Sequence, residues 1–304
     1  MADRRRHIVS LRLGVASSAL ACAFSIPSSA ASADTDLASS PPESRTAAES
    51  ASCPPCYQVR LVAEAGSLAA ISNTGQFDSD ATRLDLRQAA GQDSLLTYTR
   101  WSAELTVAQR HTVVLLYQPL SSTGTIVPSS DIREEGVTFP AGQPLTTTFS
   151  FPFARVSYVY ALMRNTRGSL ELGGTGQIRN ARTTFQTADG SRYSMSQGIG
   201  FVPALKARGR LDFDSGLWLG FELDGIYAPI SLLNGSNNDT KGAILDASLR
   251  IGLVLPRQSD VFFNVRYLGG GATSGGDRAP SEYVYNWLHF MFFGLGAQID
   301  LLPR

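Results

Sequence analysis

The residues that could carry chemistry are few, and their spacing limits the reactions open to them. Cys53 and Cys56 enclose two Pro residues, and a strand-like segment follows them. A close Cys pair in an exported chain predicts a small structural disulfide. The alternative is a thiol-redox motif, which needs its first Cys at a helix N-terminus. Because no helical pattern follows Cys56, the structural pair is the favoured interpretation.

A second set of candidates consists of charged residues at alternate positions. Lys206, Arg208 and Arg210 are two residues apart, so their side chains would share one face of a strand. Acidic residues recur in the same way, as Glu222 and Asp224 do. The pattern allows two interpretations. One is a row of cations that attracts anions, and the other is a mixed network in which opposite charges pair.

The elements that position these charges are predicted to be strands. From residue 57 onward apolar residues occupy every second position, as at Phe293, Leu295 and Ala297, with small or polar residues between them. Such alternation predicts strands with one apolar face. We predict ten of them, at residues 57–71, 97–109, 111–120, 145–164, 168–186, 197–213, 216–230, 241–256, 260–271 and 286–301.

Three features favour a membrane barrel over a soluble sandwich. The apolar faces are long enough for tilted transmembrane strands. Aromatic residues crowd segment ends, at Phe149–Phe153 and Tyr283–Trp287, as in an interfacial girdle. Short and long connections alternate, and the short ones lie at residues 110, 165–167, 214–215 and 257–259. We therefore predict an all-β fold, a closed antiparallel transmembrane β-barrel of about ten strands, with eight or twelve as alternatives and both termini in the periplasm.

The N-terminal sequence and the composition define the rest of the chain. A basic segment, an apolar stretch and the small residues Ala31-Ser32-Ala33 predict a signal peptide over residues 1–33. Residues 34–56 are rich in Ala, Ser, Thr and Pro, which predicts a flexible periplasmic linker. The barrel then covers residues 57–301. With 26 basic and 26 acidic residues the chain has no basic excess, so we expect no nucleic-acid partner.

The signal sequence, the ten segments and the terminal strand Gly294–Leu301 resemble those of small bacterial outer-membrane β-barrel proteins. More narrowly, Gly136–Phe139, Phe149–Tyr160 and His289–Leu301 are similar to a group of uncharacterised barrel proteins. The resemblance implies a monomer in the outer membrane of a Gram-negative bacterium. It also implies contact with outer-membrane lipid and lipopolysaccharide, and insertion by the barrel assembly machinery. We expect no cofactor and no metal, and the sequence does not identify an external ligand.

If the apolar faces meet lipid, the barrel lumen receives a charge network of opposite signs. Its predicted members are Arg60, Glu64, Arg100, Glu104, Arg155, Glu171, Arg179, Lys206, Arg208, Arg210, Glu222, Asp224, Asp246, Arg250, Arg266 and Asp300. The favoured interpretation is a filled barrel with a structural or surface-recognition role, since ten strands enclose little space. The alternative is a narrow solute or ion channel with the basic row at 206–210 as its selective element.

A hydrolase at the external end of the barrel is the second alternative. Outer-membrane proteases use Asp and His at this end, and Asp78, Asp80, Asp239 and Asp277 fall in predicted external loops. However, His289 shares its strand face with apolar residues and should point outward, and His111 lies at a short turn. A nucleophile, a base and an orienting group do not come together, so we predict no catalytic residue. The loop 121–144 is long enough to bind a surface partner.

Overall fold

The computed structural model describes residues 57–229, 241–274 and 284–301. The predicted signal peptide, the linker and the Cys53–Cys56 pair lie outside the described residues, as do Asp239 and Asp277. Within the described ranges no helix is long and apolar enough to cross a membrane.

The described residues form fifteen strands and one short helix. Their bounds are β1 Tyr57–Gln76, β2 Leu84–Asp85, α1 Leu86–Ala89, β3 Leu96–Val107, β4 His111–Gln118, β5 Ser121–Ile126, β6 Ile132–Glu134, β7 Val137–Phe139, β8 Leu145–Ser150, β9 Phe153–Asn165, β10 Gly168–Thr187, β11 Tyr193–Asp212, β12 Leu217–Pro229, β13 Lys241–Leu255, β14 Ser259–Ser274 and β15 Val284–Asp300.

Ten of the described strands close into an antiparallel barrel in the order β1-β3-β4-β9-β10-β11-β12-β13-β14-β15. The ring closes because β15 pairs with β1, from Arg60 opposite Asp300 to Gln76 opposite Tyr285. The prediction of an all-β, closed, ten-stranded antiparallel barrel is therefore confirmed. The tight turns at 108–110, 166–167, 213–216 and 256–258 fall at one end of the barrel, together with Tyr57 and Asp300.

The opposite end of the barrel departs from the predicted boundaries. The segment predicted as one strand, 145–164, is divided into β8 and β9 by Phe151 and Pro152, since Pro has no N–H to donate to a ladder. The region predicted as the loop 121–144 instead contains β5, β6 and β7. The predicted long connection at 187–196 is a five-residue turn, because β10 and β11 extend to 20 residues each.

A cap covers this end of the barrel, and we define it as residues 77–95 and 119–144. Its two segments are joined where the Thr82 N–H donates to the Arg133 carbonyl at 2.8 Å, and the Arg133 N–H donates to Thr82 Oγ1 at 2.9 Å. Gly91 and Gly124 allow their backbones to meet, since a Cβ on either glycine would overlap the other segment. The cap is therefore a folded element and not an open loop.

The two faces of the barrel wall differ as the alternation predicts. Apolar residues at the odd positions of β11, β13 and β15 are exposed on the exterior, and Leu205 and Leu295 are 76% and 71% exposed. The buried apolar cluster lies inside the barrel at the cap end, where Leu68, Phe149, Phe153, Phe185, Phe290 and Phe292 pack with Leu86 of the cap. The prediction that Phe149–Phe153 form an interfacial girdle is wrong, because these aromatic side chains point inward and are buried.

Candidate functional site: the barrel interior

The period of two along each strand places the charged residues in the interior. On β11 the even residues from Lys206 to Arg210 face the lumen, while Leu205 and Leu211 face out. All of the sixteen residues predicted for the lumen network lie in strands, and all except Arg179 form an ion pair within the described part of the chain. Burying such charges requires this pairing, because an isolated ion loses its hydration without compensation.

The layer nearest the tight turns contains arginines held between carboxylates. Arg208 donates from Nε to Glu171 at 2.6 Å and from Nη1 to Glu104 at 3.0 Å. Arg210 contacts Asp260 at 2.6 Å, and its guanidinium lies 4.3 Å from the centre of the Trp218 ring. The cations of the predicted basic row are therefore neutralised within the wall, and do not form a free row facing a pore.

Two further ion pairs lie in this layer. Arg60 donates to Asp300 at 2.7 Å, which joins β1 to β15. Arg164 donates to Glu171 at 2.5 Å and shares that carboxylate with Arg208. A cavity of about 520 Å³ opens at this end, and it is lined by residues that include Arg60, Glu104, Arg208 and Arg250.

Glu222 is the centre of the middle layer. Its carboxylate accepts from Lys206 at 2.5 Å, from Arg250 at 2.8 Å and from Arg100 at 3.3 Å. Arg100 also lies 3.8 Å from Glu64, whose carboxylate accepts from Tyr98 at 2.5 Å. One carboxylate thus contacts three cations, and the layer is continuous across the lumen.

Asp224 and Asp246 are directly opposite each other on β12 and β13, where two like charges would repel. Cations on both sides remove this conflict. Arg266 forms a two-pronged pair with Asp246 at 2.6 and 2.7 Å, and Arg155 contacts Asp246 at 2.5 Å and Asp224 at 3.5 Å. Lys206 supplies the third cation, 2.9 Å from Asp224.

The pairs join distant strands and lie across the axial path. Arg100 on β3 and Glu222 on β12 are five strands apart in the ring of ten described strands, which places them on opposite walls. Arg266 on β14 reaches Gln118 on β4 at 2.6 Å, four strands away. Beyond this layer the apolar cluster and the cap fill the lumen. An ion moving along the axis would meet first a network of paired charges and then an apolar core.

Arg179 differs from the other predicted members of the network. It has no ion pair among the described residues, and its Nε is buried without a hydrogen-bond partner. It lies nearer the cap end than Gln177 on the same face of β10, beside Gly200 of β11. The structure thus places this cation outside the network, at the edge of a separate cavity.

Several uncharged members of the network were missed by the sequence analysis. They are Tyr98, Gln118, Thr175, Gln177, Asn264 and Gln298, and each donates to or accepts from a charged side chain. Asp260, which is buried and paired with Arg210, was also missed. The same strand parity that identified the charges applies to these positions, so the signal was present in the sequence.

The two described histidines lie outside the lumen network. His289 Nδ1 is 2.6 Å from the Tyr267 hydroxyl on the exterior face of the barrel. His111 Nδ1 is 2.8 Å from the Tyr158 hydroxyl, next to a tight turn. Each pair resembles the aromatic and polar belts that barrels place at membrane interfaces. The described residues hold no group of three or more His, Cys, Asp or Glu side chains arranged to bind a metal.

The cap contains one buried acidic group. Glu134 on β6 is fully buried, and both of its carboxylate oxygens lack a hydrogen-bond partner in the described residues. Burial, together with the nearby charges of Glu135 and Asp78, raises the pKa of Glu134 to about 8. Its carboxyl is therefore protonated when the cap is closed at neutral pH.

Comparison with known proteins finds only distant structural likeness. No family model matches the sequence, and no curated protein matches it. Among solved structures, the outer membrane protease OmpT of Escherichia coli aligns over 80% of this chain and 97% of its own, with 7% identity and a TM-score of 0.48. The transport unit of the autotransporter AIDA-I of Escherichia coli covers 83% and 92%, with 9% identity and a TM-score of 0.38.

A third solved structure is the outer membrane protein OprG of Pseudomonas aeruginosa. It aligns over 79% of this chain and 95% of its own, with 11% identity and a TM-score of 0.29. The chain is thus similar to outer-membrane β-barrels of bacteria, as the sequence predicts. At these identities and TM-scores no function transfers from any of the three.

Proposed function

We propose that this protein is an outer-membrane β-barrel of a Gram-negative bacterium, closed along its axis, that holds a folded cap at the cell surface for recognition of an external partner. The apolar exterior supports the membrane location. Large exposed residues such as Ile199, Leu205, Leu249 and Leu295 would be unfavourable in water over so wide an area. Closure of the sheet also pairs the backbone groups of most of its wall, as a lipid environment requires.

The orientation follows from the two ends of the barrel. In outer-membrane barrels tight turns face the periplasm and longer connections face outward. The tight turns, Tyr57 and Asp300 then lie on the periplasmic side, and the cap lies outside. In this setting the exterior meets outer-membrane lipid and lipopolysaccharide, the barrel assembly machinery inserts the chain, and the protein acts as a monomer.

The contact between Arg100 and Glu222 carries the proposal of a closed barrel. A pair that bridges opposite walls obstructs the axial path at its level, and the pairs of Arg266 and Arg155 occupy the same region. The apolar cluster beneath the cap adds a second barrier. A barrel closed in this way acts through its surfaces, and the folded cap is the surface that it holds outside the cell.

Planar-bilayer conductance of the refolded mature protein tests the closure. We expect silent membranes from samples whose insertion is established by flotation with liposomes and by slower gel migration after boiling. Steady, salt-dependent steps from the same samples would refute the closed barrel and favour the channel. In that case Lys206→Gln should alter ion selectivity, whereas Arg133→Gln, in the exposed part of the cap, should not.

Epitope insertion tests the location and orientation. A tag placed in the turn 188–192 should bind antibody on intact cells, because this turn joins β10 and β11 at the cap end. The matched control is a tag in the turn 213–216, which should bind only after the outer membrane is permeabilised. Equal labelling of both tags on intact cells, or labelling of the control alone, would contradict the proposed topology.

A further inference from the structure

The barrel wall has a gap between β11 and β12. The two strands pair from Asp212 opposite Trp218, near the tight turns, to Leu205 opposite Gly225. The described pairing ends at Leu205 and Gly225, and the gap lies between this pair and the cap. Among the described residues, 193–204 of β11 continue toward the cap and pair only with β10. In the same described part of the chain, residues 226–229 of β12 pair only with β13.

Pro203 helps to explain where the pairing stops. It is two residues beyond the last pair, and it has no N–H with which to continue a ladder. Pro203 also lies inside the segment 197–213 that the sequence predicts as a strand. In the structure Pro203 stays within β11, paired on the β10 side opposite Gly176. A proline in a strand is tolerated where the adjacent edge is unpaired.

Behind the gap lies a cavity of about 500 Å³. It reaches from the β11 edge into the barrel, since its lining includes both gap residues and residues buried in the interior, such as Leu268 and Leu288. Small side chains create the space, because Gly200, Gly242 and Gly270 line it. The volume is within the range of sites that bind small molecules.

Three polar side chains line this mainly apolar cavity, and one of them, Gln177, already accepts from Arg155. Arg179 has no ion pair among the described residues, and its Nε is buried without a partner. Asn286 Oδ1 is also buried and lacks a hydrogen-bond partner. A half-buried cation without a counter-charge is costly, and an anionic group in the cavity would compensate it. The cavity thus offers apolar walls for a hydrophobic body and one cation for an anionic head.

We propose that this cavity binds an amphipathic carboxylate, and that the ligand enters from the side through the gap between β11 and β12. The carboxylate pairs with Arg179, and the apolar body lies along Val202, Ile244 and Leu268. The site is separate from the axis, so binding is compatible with a barrel that conducts no ions. The entry route depends on the proposed membrane location, whereas binding does not.

Photolabelling tests the site directly. The refolded protein is exchanged into amphipol to remove detergent, and is then treated with a medium-chain fatty acid that carries an alkyl diazirine. The control probe is the corresponding alcohol. We expect saturable labelling by the acid, with the modified peptides mapped by mass spectrometry to residues 199–203, 242–244 and 268–272. Labelling that does not saturate, or that maps only to the exterior face, would overturn the proposal.

Two substitutions assign the roles of the residues. Arg179→Gln should weaken labelling by the acid about tenfold or more and leave labelling by the alcohol unchanged, because a charge-assisted bond is lost. The matched control is Arg182→Gln, which changes an exposed arginine on the same strand. Val202→Trp should fill the cavity and reduce labelling by both probes, while Leu205→Trp adds the same bulk on the exterior. Equal labelling of Arg179→Gln and wild type would refute the role of the cation.

Competition identifies the source of the ligand. Unlabelled decanoate represents a lipid-derived acid, and an aryl alkanoate represents an aromatic acid from outside the cell. Displacement of the probe by only one competitor identifies that class of acid as the ligand. Displacement by both indicates that the site recognises the carboxylate that the two acids share. Displacement by neither would overturn the proposal. Each variant is first checked for folding by its gel migration before and after boiling, and conductance is recorded separately.

Discussion

Arg100 on β3 and Glu222 on β12 stand on opposite walls of the barrel, and yet their side chains approach to 3.3 Å. The contact is direct because both residues project inward from the middle of their strands, and because a ring of ten strands is narrow. Two further cations hold the Glu222 carboxylate in place, since it also accepts from Lys206 and Arg250. The barrel is therefore braced across its diameter by ions.

Removal of the Glu222 charge should destabilise the barrel strongly. Glu222→Gln leaves Lys206, Arg100 and Arg250 with too little negative charge, and breaking a buried pair on one side costs about 3–5 kcal/mol. The measurement is unfolding in guanidinium followed by tryptophan fluorescence. Combining the change with Lys206→Met should recover part of the loss, because one uncompensated cation is removed. The exposed pair of Arg133 and Asp80 is the control, and Asp80→Asn should cost less than about 1 kcal/mol.

Interior glycines make room for aromatic rings. A Cβ on Gly296 would overlap the ring of Phe262, which packs against Trp218. Gly296→Ala should therefore destabilise the barrel by about 1–3 kcal/mol, as overpacking does. Gly174→Ala is the control, because its Cβ would meet nothing closer than the Ala204 carbonyl at 3.6 Å. Phe262→Leu should relieve the overlap, and a double variant no more stable than Gly296→Ala alone would argue against this steric cause.

The stability of the cap should fall as pH rises. The pKa of Glu134 is raised by burial to about 8, above its ordinary value of 4.5. Between these values the folded cap holds a proton that the open cap releases, so proton binding favours the folded form and the favourable effect is lost with rising pH. Limited proteolysis within residues 127–142 should be faster at pH 8 than at pH 5.5, relative to an unstructured peptide control. Glu134→Gln should abolish this difference, and an unchanged pH dependence would exclude Glu134 as its source.

Hydrogen exchange should divide β11 into two parts. Residues 205–212 pair on both sides, whereas residues 193–204 pair only with β10 in the described structure. In residues 193–204 every second amide lacks a ladder partner. These amides should exchange about tenfold faster, or more, than those of residues 205–212, in peptides resolved by mass spectrometry. Residues 205–212 serve as the control within the same strand. Uniform protection along β11 would show that the gap is closed in solution.

The sequence predicts the wall of the barrel better than its contents. Alternation identifies the face of each residue because the period of a strand is two, and it places Lys206 and Asp224 on one inner surface. It does not give the partner of an inward residue, since partners such as Arg100 and Glu222 are distant in the chain. For the same reason the isolation of Arg179 could not be anticipated.

The cap was misread for a different physical reason. Phe149 and Phe153 alternate with small and polar residues as a membrane girdle would, but the chain turns at Pro152 and the cap covers them. Burial against another segment of the chain then replaces burial in lipid, and single-strand patterns do not distinguish the two environments. Pro203 is the one local sequence signal of the gap between β11 and β12. Whether a proline interrupts strand pairing depends on which neighbouring strand its missing N–H would face, and the sequence alone does not give this.

The pairing of β1 with β15 has a consequence for how the chain folds. Arg60 and Asp300 are 240 residues apart in sequence and form an ion pair across that junction. Contacts between residues so far apart in sequence form slowly, because the chain loses conformational entropy before the contacts stabilise it. Until the 17 residues of β15 arrive, β1 and β14 are both open edges that other chains could join. The pairing of β15 with β1 therefore ends the period in which these open edges expose the folding barrel to aggregation.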